Sequence, residues 1–362
     1  MDIRRAIEYH AIQVDALWAC RFGMSVAEQP RALSSAVSLD TFNYLSLFRH
    51  ESLKYLRKHH QALSGLLPQP TTDEMERSRN TIKLFDVHEQ VDGVIDHFMN
   101  VILPAHTRYF ASISTSPTTQ ATAHDLFITY YGDRVLYTTH SVAFTLGMSP
   151  DIVLTPGGSQ YIREVAVDYG KHFRPLSNQA PPYGPSFVDQ LDHSIISSEP
   201  VSAAVYYGSH FNGASTPGIN ALLCVFMASL NFLDSMVRLD DRPESRQTIL
   251  KMQYITLYHV TSSLRKLRLR HAAELSQQSL GFIAQIVDDA VLAQISVDSA
   301  RQLRNALMHY GLFSDVQASE IIPDVPCYGL IEKYLPGHDY ASLSSIITEQ
   351  VVRVAELLNQ WA

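Results

Sequence analysis

The sequence predicts a mainly α-helical protein, a C-terminal helical bundle behind a mostly helical N-terminal domain. Three observations carry this reading. Apolar residues recur at helical spacing over long stretches near the start. The tail, 341–361, has the cleanest amphipathic stripe in the chain: Leu343, Ile346, Ile347, Val351, Val354, Leu357 and Leu358. Prolines stand where helices would open, at Pro217 and Pro243.

In order, residues 4–20 and 41–67 read as helices, the second with Phe42, Leu45, Phe48, Leu53, Leu56 and Leu63 on one broad face. The run from Pro68 to Thr72 stops it. Residues 78–114 are again helix-like, with Pro104 expected to kink or end the helix. Around 127–155 the aromatic and β-branched content of "LFITYYGDRVLYTTHSVAF" leaves helix and strand both open. Residues 174–217 are rich in proline, glycine, serine and asparagine and read as loops. A domain boundary is placed near 213, dividing a 1–213 unit from a 214–362 unit. Beyond it, Ser215 or Thr216 caps a helix running to about Leu239. A long helix follows from Pro243 to about Arg270, with Ile249, Met252, Ile255, Leu257, Val260 and Leu264 inward. A third covers roughly 273–294, and Ser296 or Asp298 caps a fourth. With the tail, this is a helical bundle.

Composition narrows the function classes. The 362 residues are 46% hydrophobic and 18% charged, which suits a globular core. A net charge of −8 shows no basic face for a long duplex, though a short RNA loop needs only a local cationic pocket. Cys20, Cys224 and Cys327 are odd in number and form no CxxC pair, which points to free thiols in a reducing cytoplasm. The opening "MDIRRAIEYHAIQ" has no apolar core of a signal peptide. No apolar run reaches the roughly 18–20 residues of a membrane span. The nearest, "INALLCVFMASLNFL" (219–233), is interrupted by Asn220 and Asn231. No membrane association is expected.

The chemistry concentrates in "RQLRNALMHYGLF" (301–313). Arg304 and His309 are five apart, roughly 140° in azimuth on a straight helix. Gly311 reads as the helix C-cap, which places His309 in a last turn where a long arginine reaches back toward it. Equally, Arg304 could pair with an acid, and His309 could complement the helix dipole.

The segment "LRNALMHYG" resembles the Arg-Asn-x-x-x-His signature of the HEPN superfamily, and the order of elements over 216–362 is similar to that family's bundle. The resemblance implies a metal-independent endoribonuclease, needing no cofactor, with Arg304, Asn305 and His309 as its catalytic set. It implies a homodimer that faces two motifs across the bundle interface, and a toxin or antiviral role with a regulatory protein or antitoxin as partner. The residue types fit such chemistry. The 2′-hydroxyl attacks the adjacent phosphate, histidine moves protons, and arginine neutralises the phosphorane. The 1–213 domain would then regulate the nuclease or select its RNA. The alternative is a non-catalytic HEPN scaffold that binds a nucleotide or a protein partner.

Tyr310 is a candidate base-stacking residue. "SSLRKLRLRH" (262–271) places Arg265, Lys266, Arg268 and Arg270 either as a phosphate patch beside the motif or as a solvated helix end. In "FDVHEQVDGVIDHF" (85–98), which also holds His97, the residues His88, Asp92 and Asp96 form an i, i+4, i+8 row read as a polar face rather than a metal site. "AHDLF" (123–127), with His106 and Asp133, superficially resembles the His-Asp pair of HD phosphohydrolases, with loose spacing. "TPGGSQ" (155–160) has no lysine and reads as a turn rather than a P-loop. No metal is expected at the motif.

Overall fold

The computed structural model describes residues 2–67, 78–79, 90–113, 124–177, 184–212, 215–296, 298–312 and 315–362. The fold is mainly α, as the periodicity predicts.

Two long helices open the chain: α1 (Ile3–Glu28) and α2 (Arg31–His59), separated by the Gln29–Pro30 break. α1 runs past the expected 4–20, and α2 begins ten residues before the expected 41–67 and ends at His59. A short α3 (Gln61–Leu66) follows. The expected stop at Pro68–Thr72 lies outside the described residues.

Next come α4 (Gln90–His97), a π-helical turn (Phe98–Ile102) and α5 (Leu103–Ile113). Pro104 neither ends nor breaks this helix. The wider turn just before it, where Leu103 N–H bonds to Phe98 O, absorbs the register change around the missing proline donor.

The ambiguous stretch after it resolves into a hairpin. Strands β1 (Leu126–Tyr131) and β2 (Arg134–Thr138) pair antiparallel around Gly132, whose φ of 62° suits the tight turn. Thr138 then caps α6 (Thr139–Leu146), followed by α7 (Pro150–Val153) and α8 (Pro156–Phe173). The glycine-bearing "TPGGSQ" is therefore the opening of a helix. α1 crosses α8 at Gly23 and Gly170, where a Cβ on Gly23 would meet the Gly170 Cα at 2.7 Å. Only glycine permits that approach.

The segment expected to be loop holds a third strand, β3 (Ile196–Val201), paired with β1 on the side opposite β2. Its central residues, Ser197, Ser198 and Glu199, are exposed. An edge strand facing water carries no apolar alternation, so its sequence reads as loop. Helix α9 (Ala203–Ser209) closes this part.

The C-terminal helices follow the expected order: α10 (Pro217–Ser235), α11 (Arg246–Arg270), α12 (Gln277–Val287), α13 (Ala290–Gln294), α14 (Asp298–His309), α15 (Leu330–Tyr334) and α16 (Tyr340–Trp361). The expected third helix is split at Asp288–Asp289, and Asp289 caps its second piece through Val291 and Leu292 N–H. Pro217–Leu239, 23 residues of mean hydropathy 1.6, is long and apolar enough to cross a membrane. In the fold it is a core helix. Its Asn231 donates to Val135 O at 2.9 Å and exchanges bonds with Asn359 on α16.

Residue 213, the expected boundary, lies outside the described residues. The apolar core runs continuously from Ile7 to Trp361. α10 packs on β2 and α16, and α11 packs on α1.

Candidate active site around His309

The helix that carries the motif, α14, buries Ala300, Leu303, Ala306 and Met308, spaced to give one inward stripe. It ends at His309, and the left-handed residue after it is Tyr310, with φ 52°, not Gly311. A non-glycine residue there costs about 1–2 kcal/mol, so something must hold it. Tyr310 is held by burial (4% exposed) and by its hydroxyl, which donates to Asp15 Oδ2 at 2.6 Å. Lys251 also donates to Asp15 Oδ2, at 2.6 Å, and its Nζ lies 4.0 Å from the Tyr310 ring centroid. Thr248 donates to the other carboxylate oxygen at 2.7 Å. Burial raises the Tyr310 pKa well above the ordinary value, and the Asp15 charge adds to it. Burial lowers that of Lys251 against the pull of Asp15. Tyr310 is thus an interior anchor, which corrects its expected role as a base-stacking surface: a side chain packed against Lys251 and Asp15 cannot stack on RNA.

The chain after Tyr310 is clamped by α1. Glu8 accepts from Leu312 N–H at 2.8 Å and from the Tyr55 hydroxyl at 2.9 Å, while Arg4 donates to Leu312 O at 3.1 Å. This fixes where His309 points.

His309 emerges partly to solvent, with 37% of its side chain exposed. Its Nδ1 lies 2.9 Å from Glu51 Oε2, so the tautomer that donates from Nδ1 leaves Nε2 as a proton acceptor. Glu51 itself is buried on α2 and is gripped by Arg79 through Nε at 3.1 Å and through Nη2 on the same oxygen. Burial alone would raise the Glu51 pKa, but His309 and Arg79 outweigh it and hold the carboxyl down to about 2. Lys54, exposed on the turn after Glu51, places Nζ 4.0 Å from the oxygen that His309 contacts. A histidine, a fixed carboxylate and a surface cation therefore meet at one point.

Arg304 is elsewhere. It is 3% exposed, its guanidinium sits 5.0 Å from the Tyr258 ring centroid, and it donates to Met308 Sδ at 3.4 Å. The expectation of a cleft arginine beside His309 is corrected here. The azimuth gap between the two positions survives folding: Arg304 turns toward α11 and His309 toward α2. Asn305 is half-buried between them on the helix.

The basic stretch is largely tied up in the fold. Arg268 forms two bonds to Asp288 at 2.7 and 2.8 Å, Arg270 bonds Asp92 at 2.6 Å, and Arg265 donates to Ser296 at 3.1 Å. Lys266 is half-buried. A ready-made phosphate patch on Arg265, Lys266, Arg268 and Arg270 is thus corrected to a helix end that binds its neighbours. Asp92 also accepts from His271 at 2.8 Å, and His271 contacts Glu274 at 2.6 Å through its other nitrogen. His88 of the acidic row lies outside the described residues. Asp125 of the "HD" pair accepts from Ala203 N–H at 2.7 Å and so anchors α9. His106 is fully buried, edge-on to His140 at 4.3 Å. Among the described residues no three His, Cys, Asp or Glu side chains gather to hold a metal ion.

Glu51 escaped the motif because it is remote in sequence. Its signal is a carboxylate within an apolar helical stripe, three residues after Phe48 and four before Tyr55. Asp15, three residues before Trp18, has the same signature. Buried acids of this kind imply a partner. No family model, no curated protein and no solved structure matches the chain.

Proposed function

We propose that the chain is a metal-independent endoribonuclease whose proton-transfer residue is His309. The observation that carries this reading is the His309–Glu51 contact. A buried carboxylate locked by Arg79 fixes the imidazole and leaves its far nitrogen at the surface. In the proposed reaction that nitrogen takes the proton of the RNA 2′-hydroxyl, whose oxygen attacks the adjacent phosphorus. The bond from phosphorus to the 5′-oxygen breaks, leaving a 2′,3′-cyclic phosphate and a free 5′-hydroxyl. Because the nucleophile belongs to the substrate, DNA is inert. Lys54, rather than the buried Arg304, is the cation placed to neutralise the phosphorane. Arg304, packed on Tyr258 and bonded to Met308, serves to hold the helix. A second copy of the chain would supply a second His309 as the acid for the leaving oxygen, so that the active form is a dimer. A toxin or antiviral role, restrained by a partner protein, extends the same reading.

A second reading is a non-catalytic scaffold of the same helical type. The observation that favours it is the burial of Arg304 against Tyr258, which removes the arginine from any cleft. Incubating labelled single-stranded RNA with the purified protein in EDTA separates the two. Cleavage that His309→Ala abolishes supports the nuclease, and intact RNA supports the scaffold.

A further inference from the structure

A large cleft lies away from His309. It has a volume of about 1060 Å³ and lies between α1, the start of α11 and α16. None of its lining residues is Glu51, Lys54 or His309. That volume is at the upper end of what a small organic ligand fills.

Its walls are polarised. Gln253 on α11 meets Thr348 on α16 at 3.2 Å. Arg246 in the first turn of α11 and Tyr340 in the first turn of α16 both line the cleft, and the Arg246 charge acts on the Tyr340 hydroxyl, so the two helices begin at the same end of it. Arg246 stands in the first turn of α11, where the helix dipole disfavours a cation. Among the described residues no carboxylate pairs with it. Ser245, the N-cap of α11, makes no side-chain capping bond, and the Arg246 N–H bonds instead to Pro243 O at 3.4 Å. The two acids of the lining are engaged: Glu244 bonds Arg21, and Glu349 accepts from Ser345 at 2.9 Å. Glu349 lies nine residues along α16, about 13 Å from the Arg246 end. Val14, Leu17 and Pro243 are among its apolar lining residues.

A second feature borders the same cleft. Pro326 is in its lining, and the next three residues all take positive φ: Cys327 at 58°, Tyr328 at 59° and Gly329 at 83°. Left-handed residues normally occur singly. Such an outlier persists where surroundings over-determine it and clusters at ligand sites. Here the Tyr328 hydroxyl is fixed on Nδ1 of His10, another lining residue, at 2.8 Å.

We propose that this cleft binds a small organic anion, its carboxylate or phosphate head on Arg246, its apolar body against Val14, Leu17 and Pro243. The proposal is independent of the nuclease reading, because it concerns other residues and its test needs no RNA. The probe is 8-anilinonaphthalene-1-sulfonate, an anion with an apolar body, followed by fluorescence titration on the full chain. The wild type is expected to bind one equivalent. Phenyl phosphate and phenylacetate compete, and the stronger competitor names the head group. Arg246→Gln is expected to weaken binding at least tenfold. Ala341→Trp, on an exposed lining position, fills the cleft and removes binding. Circular dichroism checks that both variants fold. Undiminished binding in Arg246→Gln overturns the proposal. So does a folded wild type that leaves the probe dark, or a bound probe that neither competitor displaces.

Discussion

Glu51 and His309 lie 258 positions apart in the chain and meet at 2.9 Å, the carboxylate buried and the imidazole at the surface. This contact ties the end of α14 to the middle of α2. Glu51→Gln removes the charge that balances Arg79 in the interior. Breaking a buried ion pair from one side costs about 3–5 kcal/mol, and the variant should unfold at correspondingly lower urea concentration. The Glu51 carboxyl is held below its ordinary value, so its contribution is complete above the unfolded value of 4.5 and is lost as pH falls toward about 2. Wild type and variant should therefore converge in stability as the titration is carried to low pH. A constant gap down to pH 2 would place the effect in packing.

The Asp15–Lys251–Tyr310 cluster holds the left-handed turn that ends α14. Lys251→Met leaves Asp15 buried without its cation, and a loss of about 3–5 kcal/mol is expected. Tyr310→Phe removes one hydrogen bond to a charged acceptor, and a smaller loss of about 1.5–3 kcal/mol is expected. Urea denaturation of both variants checks the order. Equal losses would mean that the Tyr310 hydroxyl holds Asp15 as strongly as the Lys251 charge does.

His271 gives the opposite pH dependence to Glu51. Burial lowers its pKa, but Glu274 and Asp92 outweigh that and raise it above 6.5. A raised histidine contributes fully below its unfolded value and loses its contribution as pH rises through the folded one. His271→Gln should therefore lower the melting temperature more at pH 5.5 than at pH 9. A deficit independent of pH would show that the two carboxylates do not hold a charged imidazole.

Much of the helix order was legible because apolar stripes fix inward faces without reference to partners. Pro217 and the stripe from Leu343 to Leu358 are examples, and both helices stand where the pattern puts them. β3 was not legible, since Ser197, Ser198 and Glu199 face water at a sheet edge. At the candidate site the motif pointed to His309, but not to its surroundings. Burial of Arg304 depends on Tyr258, and orientation of His309 depends on Glu51, both brought in by other helices. Tyr310 rather than Gly311 takes the positive φ because Asp15 and Lys251 stabilise it there, a tertiary effect that overrides local preference.

The most direct test of the account is cleavage of a 5′-labelled single-stranded RNA in EDTA by wild type, His309→Ala and Lys54→Ala. The account predicts a product ending in 2′,3′-cyclic phosphate with wild type. It predicts loss of at least about 100-fold with His309→Ala, the ordinary range for a removed acid–base group. A clear reduction is expected with Lys54→Ala, and no cleavage of the matching DNA. Intact RNA with folded wild-type protein, or full activity in His309→Ala, would contradict it.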